Sequence, residues 1–219
     1  MCIRDSLTNI LEKRDPIRLF SQPVSAPKKV VFMFPGGGSQ HTNMGKDLYR
    51  EEAVFRQTVN ECLALLENKF NLSLKNILYP NHDRLEPILD PFAGITLLFS
   101  VEYATAKLLM SWGIQPEAMI GHSLGEYTAA TLSGLMSLEA AMGMVATRGK
   151  LFLELEEGGM LSVGMTPEAL STYMCDELDI AAINKPDQVV VSGNASAICL
   201  LYTSPSPRDL STSRMPSSA

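Results

Sequence analysis

The 219-residue sequence has only four cysteines, Cys2, Cys62, Cys175 and Cys199, and none forms a C-x-x-C pair or falls at metal-ligand spacing. That excludes a disulfide framework and a zinc site as organising features. It has no basic excess: 18 Lys and Arg stand against 24 Asp and Glu, interspersed, for a formal net charge of −6. A nucleic-acid groove needs clustered cations to displace counterions, so none is expected. A small anionic substrate is still allowed, because one placed arginine can bind a carboxylate. No uninterrupted apolar run approaches the roughly 20 residues that span a bilayer. The first turns carry Arg4, Asp5, Glu12, Lys13 and Arg14 rather than the apolar core of a signal peptide. No membrane partner and a cytoplasmic setting are therefore the expectation. Histidine is scarce too, with three in the chain, His41, His82 and His122. No internal repeat is evident.

What is present reads as an α/β domain. Hydrophobic residues make up 46% of the chain, which is normal for a globular domain and too high for a disordered one. Residues 7–29 contain Pro16, Pro23 and Pro27 and read as a surface linker. Val30-Val31-Phe32-Met33-Phe34 is a continuous apolar run that stops at Pro35-Gly36-Gly37-Gly38, which predicts a buried parallel strand and a glycine loop. Helical spacing runs from Asp47 to Phe70 and again from Ile95 to Trp112, the second bounded by Pro91 and Gly94 before it. A short strand Ala118-Met119-Ile120 precedes helices over Leu124–Leu135 and Leu138–Leu155. From Met160 the texture becomes strand, helix (Pro167–Leu178), strand (Ile180–Ile183), strand (Val189–Ser192). That is the first two-thirds of a βαββαβ unit, lacking its last helix and strand.

Both ends break this pattern. After Ile198 the chain is dominated by Ser, Pro, Thr and Arg, as a disordered tail would be. A sharper reading is that Met1-Cys2-Ile3-Arg4-Asp5-Ser6 and residues 199–219 resemble translated sequencing-library adapter. Residues 1–6 and 199–219 are then set aside as non-native, leaving 7–198.

The chemistry centres on Gly121-His122-Ser123-Leu124-Gly125, a G-x-S-x-G motif with a strand before it and a helix after it. The glycines leave room for two backbones to meet, and the turn presents the serine at a helix N-terminus, where N–H groups can hold an oxyanion. The alternative is a structural turn. A nucleophilic serine needs a base. His122, next to the serine, should point away as a supporting or packing group. His41 follows the glycine loop and could approach the site or simply cap the loop, and His82 sits in a solvated turn. No histidine follows Ser123, so a Ser-then-His enzyme would take its base from beyond the chain. Arg148 lies in a helix with apolar neighbours and is either a solvated surface residue or a buried cation needing a carboxylate-like partner. Phe34-Pro35-Gly36-Gly37-Gly38-Ser39-Gln40 lacks the pattern of a phosphate loop. It suits either the approach of bare amides to a reacting carbonyl or a plain tight turn.

Taken together, Phe34–Gln40, Phe99–Ala104, Gly121–Tyr127, Arg148-Gly149-Lys150, Gly159-Met160 and Asn184–Gly193 resemble the acyltransferase domains of modular polyketide synthases and the malonyl-CoA:acyl carrier protein transacylases. The resemblance implies a large α/β-hydrolase-like subdomain (30–158) and a smaller ferredoxin-like one (159–198) truncated at the C-terminus. It implies that Ser123 attacks an acyl-CoA thioester and passes the acyl group to the phosphopantetheine thiol of an acyl carrier protein. No cofactor is bound, because coenzyme A enters as substrate. The Leu124 and Gly37 amides would form the oxyanion hole. Arg148 would hold the free carboxylate of a malonyl-type unit, with His122, Gln40 and Asn184 lining the substrate site. The segment from Lys13 to Val30 resembles the linker after a ketosynthase, which makes an adjacent ketosynthase the expected neighbour. Three departures stand out. Gly37 and Ile95 occupy positions where relatives commonly carry glutamine, and the family's histidine base falls after Ile198. A serine hydrolase or thioesterase, or an inactive fragment without its base, are the competing readings.

Overall fold

The structure is a computed structural model and describes residues 29–156, 158–203 and 214–215. The expectations for residues 1–6 and for the linker through 28 lie outside the described residues. So does most of the 199–219 tail. The chain divides into Met1–Val30 and Val31–Ala219, and the fold below is that of the second unit.

Strand β1 (Val31–Phe34) buries Phe32 and Phe34, whose rings meet edge to face. Its other side chains, Val31 and Met33, are 53% and 76% exposed, so the run expected to be buried on both faces is covered on one. The reason lies in its sheet, which has two strands and carries no second layer over Val31 and Met33 among the described residues. The partner is parallel, and a parallel pair needs a long crossover. Four helices supply it: α1 (Lys46–Glu51), α2 (Ala53–Phe70), α3 (Lys75–Leu78) and α4 (Pro91–Ser111). Strand β2 (Ala118–Gly121) then returns beside β1.

Helix boundaries differ from the periodicity in several places, two of them early in the chain. The run from Asp47 to Phe70 breaks at Glu52, which is extended (φ −99°, ψ 113°) and gives its N–H to the Leu48 carbonyl. Helix α4 begins at Pro91 rather than Ile95. Asp90 caps it by accepting from the Ala93 amide at 2.6 Å, and proline at the first position has no N–H to lose. Gly94 is thus inside the helix. By length and hydropathy α4 could cross a membrane, but two-thirds of that stretch, 67%, is buried against its neighbours as a core helix.

Helices α5 (Leu124–Leu132) and α6 (Leu138–Glu154) close the first layer. Phe55, Leu66, Leu97, Phe99, Leu124, Met142 and Val145 form its core. A second core, built on Leu161, Leu170, Val189 and Val191, belongs to an antiparallel sheet. Its parts are β3 (Gly158–Val163), α7 (Pro167–Leu170), β4 (Leu178–Lys185), β5 (Gln188–Asn194), α8 (Ala195–Thr203) and β6 (Arg214–Met215), in strand order β4-β5-β3-β6.

Here the structure departs twice from expectation. The helix over Pro167–Leu178 is a single turn followed by a 3₁₀ turn at Ser171–Tyr173. The Ser171 and Thr172 hydroxyls fold back onto the Glu168 and Ala169 carbonyls, offering the backbone an alternative to helix, and Met174 is already extended. The last helix and strand, expected to be missing, are present as α8 and the two-residue β6. Helix α8 is capped by Asn194, whose side chain accepts from the Ala197 amide at 2.8 Å, and it runs past Ile198 to Thr203 with Leu201 buried.

Candidate active site

The turn between β2 and α5 sets the site. Ser123 occupies φ 52°, ψ −107°, a left-handed backbone that an L-residue holds at a cost of about 1–3 kcal/mol. Two close approaches hold it there. A Cβ on Gly121 would strike the Glu126 amide one turn along, and one on Gly125 would strike the Phe34 carbonyl of β1. The His122 N–H completes the anchorage by donating to the Phe34 carbonyl at 3.0 Å. Glycine is therefore required at both positions by contact, and the serine is carried at the tip of the strand.

The glycine loop after β1 lies against this turn. A Cβ on Gly36 would stand 2.8 Å from His122 Nδ1 and 3.3 Å from the Ser123 Cβ. Gln40, buried beneath the loop beside Gly94 of α4, accepts from the Gly38 amide at 2.7 Å and holds the loop's shape. The Leu124 amide is at the first position of α5, where no intrahelical acceptor exists. Neither it nor the Gly37 amide donates to a protein acceptor among the described residues. Two N–H groups are thus free on the two segments that flank Ser123.

Arg148, on α6, reaches the serine directly. Its Nη2 donates to Ser123 Oγ at 2.9 Å, and its guanidinium lies over the rings of Tyr127 (5.8 Å) and Phe152 (5.3 Å). Helix α6 comes this close because its next residue is glycine. A Cβ on Gly149 would sit 2.8 Å from the Phe92 Cα at the start of α4. Beside Arg148 a groove of about 620 Å³ opens between Phe70, Tyr127, Met144, Thr147 and Leu151.

The predicted residues divide accordingly. Ser123, Leu124, Arg148 and His122 come together, with Gly36, the neighbour of Gly37, against the turn and Gln40 one layer behind. Asn184 is exposed on β4 and makes no hydrogen bond to this group among the described residues. His122 is exposed rather than packed. His41 contacts its neighbour, the Thr42 carbonyl, at 2.7 Å, and His82 contributes its backbone carbonyl to Asn43. Ser123 thus has an arginine and no histidine as partner among the described residues. No group of acidic, cysteine and histidine side chains that could hold a metal occurs among them either.

Three contributors escaped the sequence reading. Tyr127 and Phe152 sit four residues beyond Ser123 and Arg148, the spacing at which helical neighbours meet. Glu102, on α4, is 8% exposed, and its Oε2 accepts from Thr128 of α5 at 2.8 Å while Oε1 has no partner. Burial raises its carboxyl to about 7, the Thr128 hydroxyl offsetting part of the rise. Its signal was a lone acid in an otherwise apolar stretch.

Comparison with known proteins agrees with this geometry. The family model described as the acyl transferase domain matches residues 31–214. The chain is 38% identical over 175 residues to the mycoketide-CoA synthase of Mycobacterium tuberculosis, covering 80% of this chain and 4% of that protein. It superposes with a TM-score of 0.83 on the acyltransferase domain from the second module of the salinomycin polyketide synthase, 30% identical, covering 97% of this chain and 50% of that one. Malonyl CoA-acyl carrier protein transacylase from Clostridium perfringens matches at 0.71, 25% identical, covering 88% and 62%. The chain thus spans a small fraction of the synthase and about half of the solved domain. With the strained serine, the free amides and the arginine in the family's order, the chain belongs to the acyl transferase domain family.

Proposed function

We propose that Ser123 accepts a malonyl-type acyl group from coenzyme A and yields it to the phosphopantetheine thiol of an acyl carrier protein, within a synthase that carries an adjacent ketosynthase. Ser123 Oγ attacks the thioester carbonyl, and its proton passes to a histidine C-terminal to Ile198, the position the family resemblance implies. The negative charge that develops on the carbonyl oxygen is held by the Leu124 and Gly37 amides. The C–S bond then breaks, and the coenzyme A sulfur leaves with the proton. The carrier thiol repeats the sequence in reverse. Arg148 holds the free carboxylate of the acyl unit through its planar fork, with His122 at the edge of the turn and Gln40 holding the glycine loop from behind. No bound cofactor is required, and the reaction is a cytoplasmic one. The βαββαβ order of the second sheet, with strands β4-β5-β3-β6, supports a ferredoxin-like subdomain beside a hydrolase-like one.

The observation that carries this reading is the 2.9 Å contact between Arg148 and Ser123 Oγ. A hydrolase of simple esters has no use for a cation there, and none of the relatives named above is one. In the acyltransferase domain taken to the full length of its relatives, Arg148→Ala should lower malonyl loading from malonyl-CoA by about 100-fold or more, roughly 3 kcal/mol. Loading of acetyl should change little, and Ser123→Ala should abolish both. Intact-protein mass spectrometry reads each adduct. Equal losses for malonyl and acetyl would remove the carboxylate clamp from the mechanism.

A further inference from the structure

Glu102 is the one buried carboxyl in the helices around the nucleophile, and the reaction above makes no use of it. It lies on α4, where Oε1 is sealed from solvent without a partner. Its other oxygen is engaged across the helix interface by Thr128, which is fully buried on α5. That contact is unusual for this protein. Thr58, Thr96, Thr105, Thr131 and Thr147 all turn their hydroxyls back onto the carbonyl four residues earlier, the local bond a helical threonine makes most easily. Thr128 instead reaches outward to another helix. It sits five residues beyond Ser123, on the helix whose first amide is the Leu124 donor.

We propose that Glu102 is a positioning residue, which through Thr128 holds the Ser123 end of α5 against α4 and so keeps the nucleophile and the Leu124 amide in register with Arg148. The assignment rests on Ser123 being the nucleophile. A buried carboxyl does this best uncharged, because an ionised one must be hydrated and draws the interface open. Burial raises its titration from 4.5 to about 7, with Thr128 as the only counter-influence. The charged and titratable groups on α4 and the helices packed around it are Tyr103 and Lys107 on α4, Arg56, Glu61, Cys62, Glu67 and Lys69 on α2, Glu126 and Tyr127 on α5, and Glu139, Arg148, Lys150 and Glu154 on α6. None of them acts on Glu102 electrostatically.

The sign follows from linkage. With the folded value above the unfolded one, the contribution is complete below about 4.5, falls as pH rises, and is spent above about 7. Within that window each pH unit is worth up to about tenfold in local opening.

Hydrogen exchange on this chain tests the proposal without requiring turnover. Protection factors of the α5 amides, corrected for intrinsic exchange, would be followed from pH 5 to 8. In the unsubstituted chain protection should fall by about tenfold or more between pH 5 and 7 and then level off. Glu102→Gln keeps the shape and the acceptor but cannot ionise, so its protection should stay high and flat across the range. Glu102→Ala should lose protection at every pH, and the rescue by glutamine separates positioning from mere space-filling. A flat profile in the unsubstituted chain, or the same slope in Glu102→Gln, would overturn the assignment. If instead Ser123 fails to load acyl groups in the full-length domain, the nucleophile reading falls on that evidence alone, and the exchange result still decides whether Glu102 governs α5.

Discussion

At the scale of single residues, environment separates groups of the same chemical type. Cys62 is enclosed in the first core, and burial pushes its thiol up to about 12 despite a hydrogen bond with Ser100. Cys175 and Cys199 are exposed. Since the thiolate is the reactive form, Cys62 holds only about one part in ten thousand at pH 8. Iodoacetamide at that pH should alkylate Cys175 and Cys199 within minutes and reach Cys62 only after denaturation, as peptide mass mapping would show. Comparable labelling of Cys62 in the native protein would mean that the core opens readily around α2. The same contrast explains what was legible residue by residue. Ser123 could be found because its motif constrains the backbone on both sides, and Arg148 because a cation among apolar neighbours needs a partner. Glu102 lies within the quoted Phe99–Ala104 segment, but nothing in that segment shows its partner Thr128, which is 26 residues away and meets it only through packing.

At the scale of elements, the strands and helices that bury a full face were readable, and the errors gather where local side chains compete with periodicity. The break at Glu52 leaves the helical pattern of Phe55, Val59, Cys62 and Leu66 intact, so spacing alone could not show it. The early stop of α7 comes from the Ser171 and Thr172 hydroxyls. The early start of α4 comes from the Asp90 cap and Pro91, a stronger signal than the spacing that placed Gly94 outside it. The joint between β1 and α5 depends on a missing side chain instead. Gly125→Ala would drive a methyl into the Phe34 carbonyl, a backbone atom that cannot swing aside. The cost should reach about 3 kcal/mol or more, within the range for overpacking a tight interface. Gly38→Ala meets nothing within 4 Å but sits at φ +118°, so it should cost only the backbone strain, about 1–2 kcal/mol. Urea unfolding of the two variants compares them directly, and a Gly125→Ala protein as stable as Gly38→Ala would contradict the close approach.

At the scale of the whole molecule, two separate cores support a site built almost wholly from the first. Ser123, its amides and Arg148 come from β1, β2, α5 and α6, and the second sheet contributes no hydrogen bond to them among the described residues. On the proposed reading, the parts that would bind a carboxylate and hold an oxyanion are therefore in place. The part that removes the serine proton is not among them, because none of the three histidines hydrogen-bonds to Ser123 Oγ among the described residues. Losing a base from a serine nucleophile costs on the order of 10⁴–10⁶ in rate, while the remaining groups still bind and polarise the thioester. The 219-residue chain incubated with malonyl-CoA should therefore acquire its Ser123 adduct only over hours, against seconds for the domain at the full length of its relatives, when both are followed by intact mass. Raising the pH should speed the chain's reaction by increasing the alkoxide fraction. A stoichiometric adduct within seconds at neutral pH would show that these residues already provide a base, with His122, whose ring lies beside Gly36 at the edge of the same turn, the first to substitute.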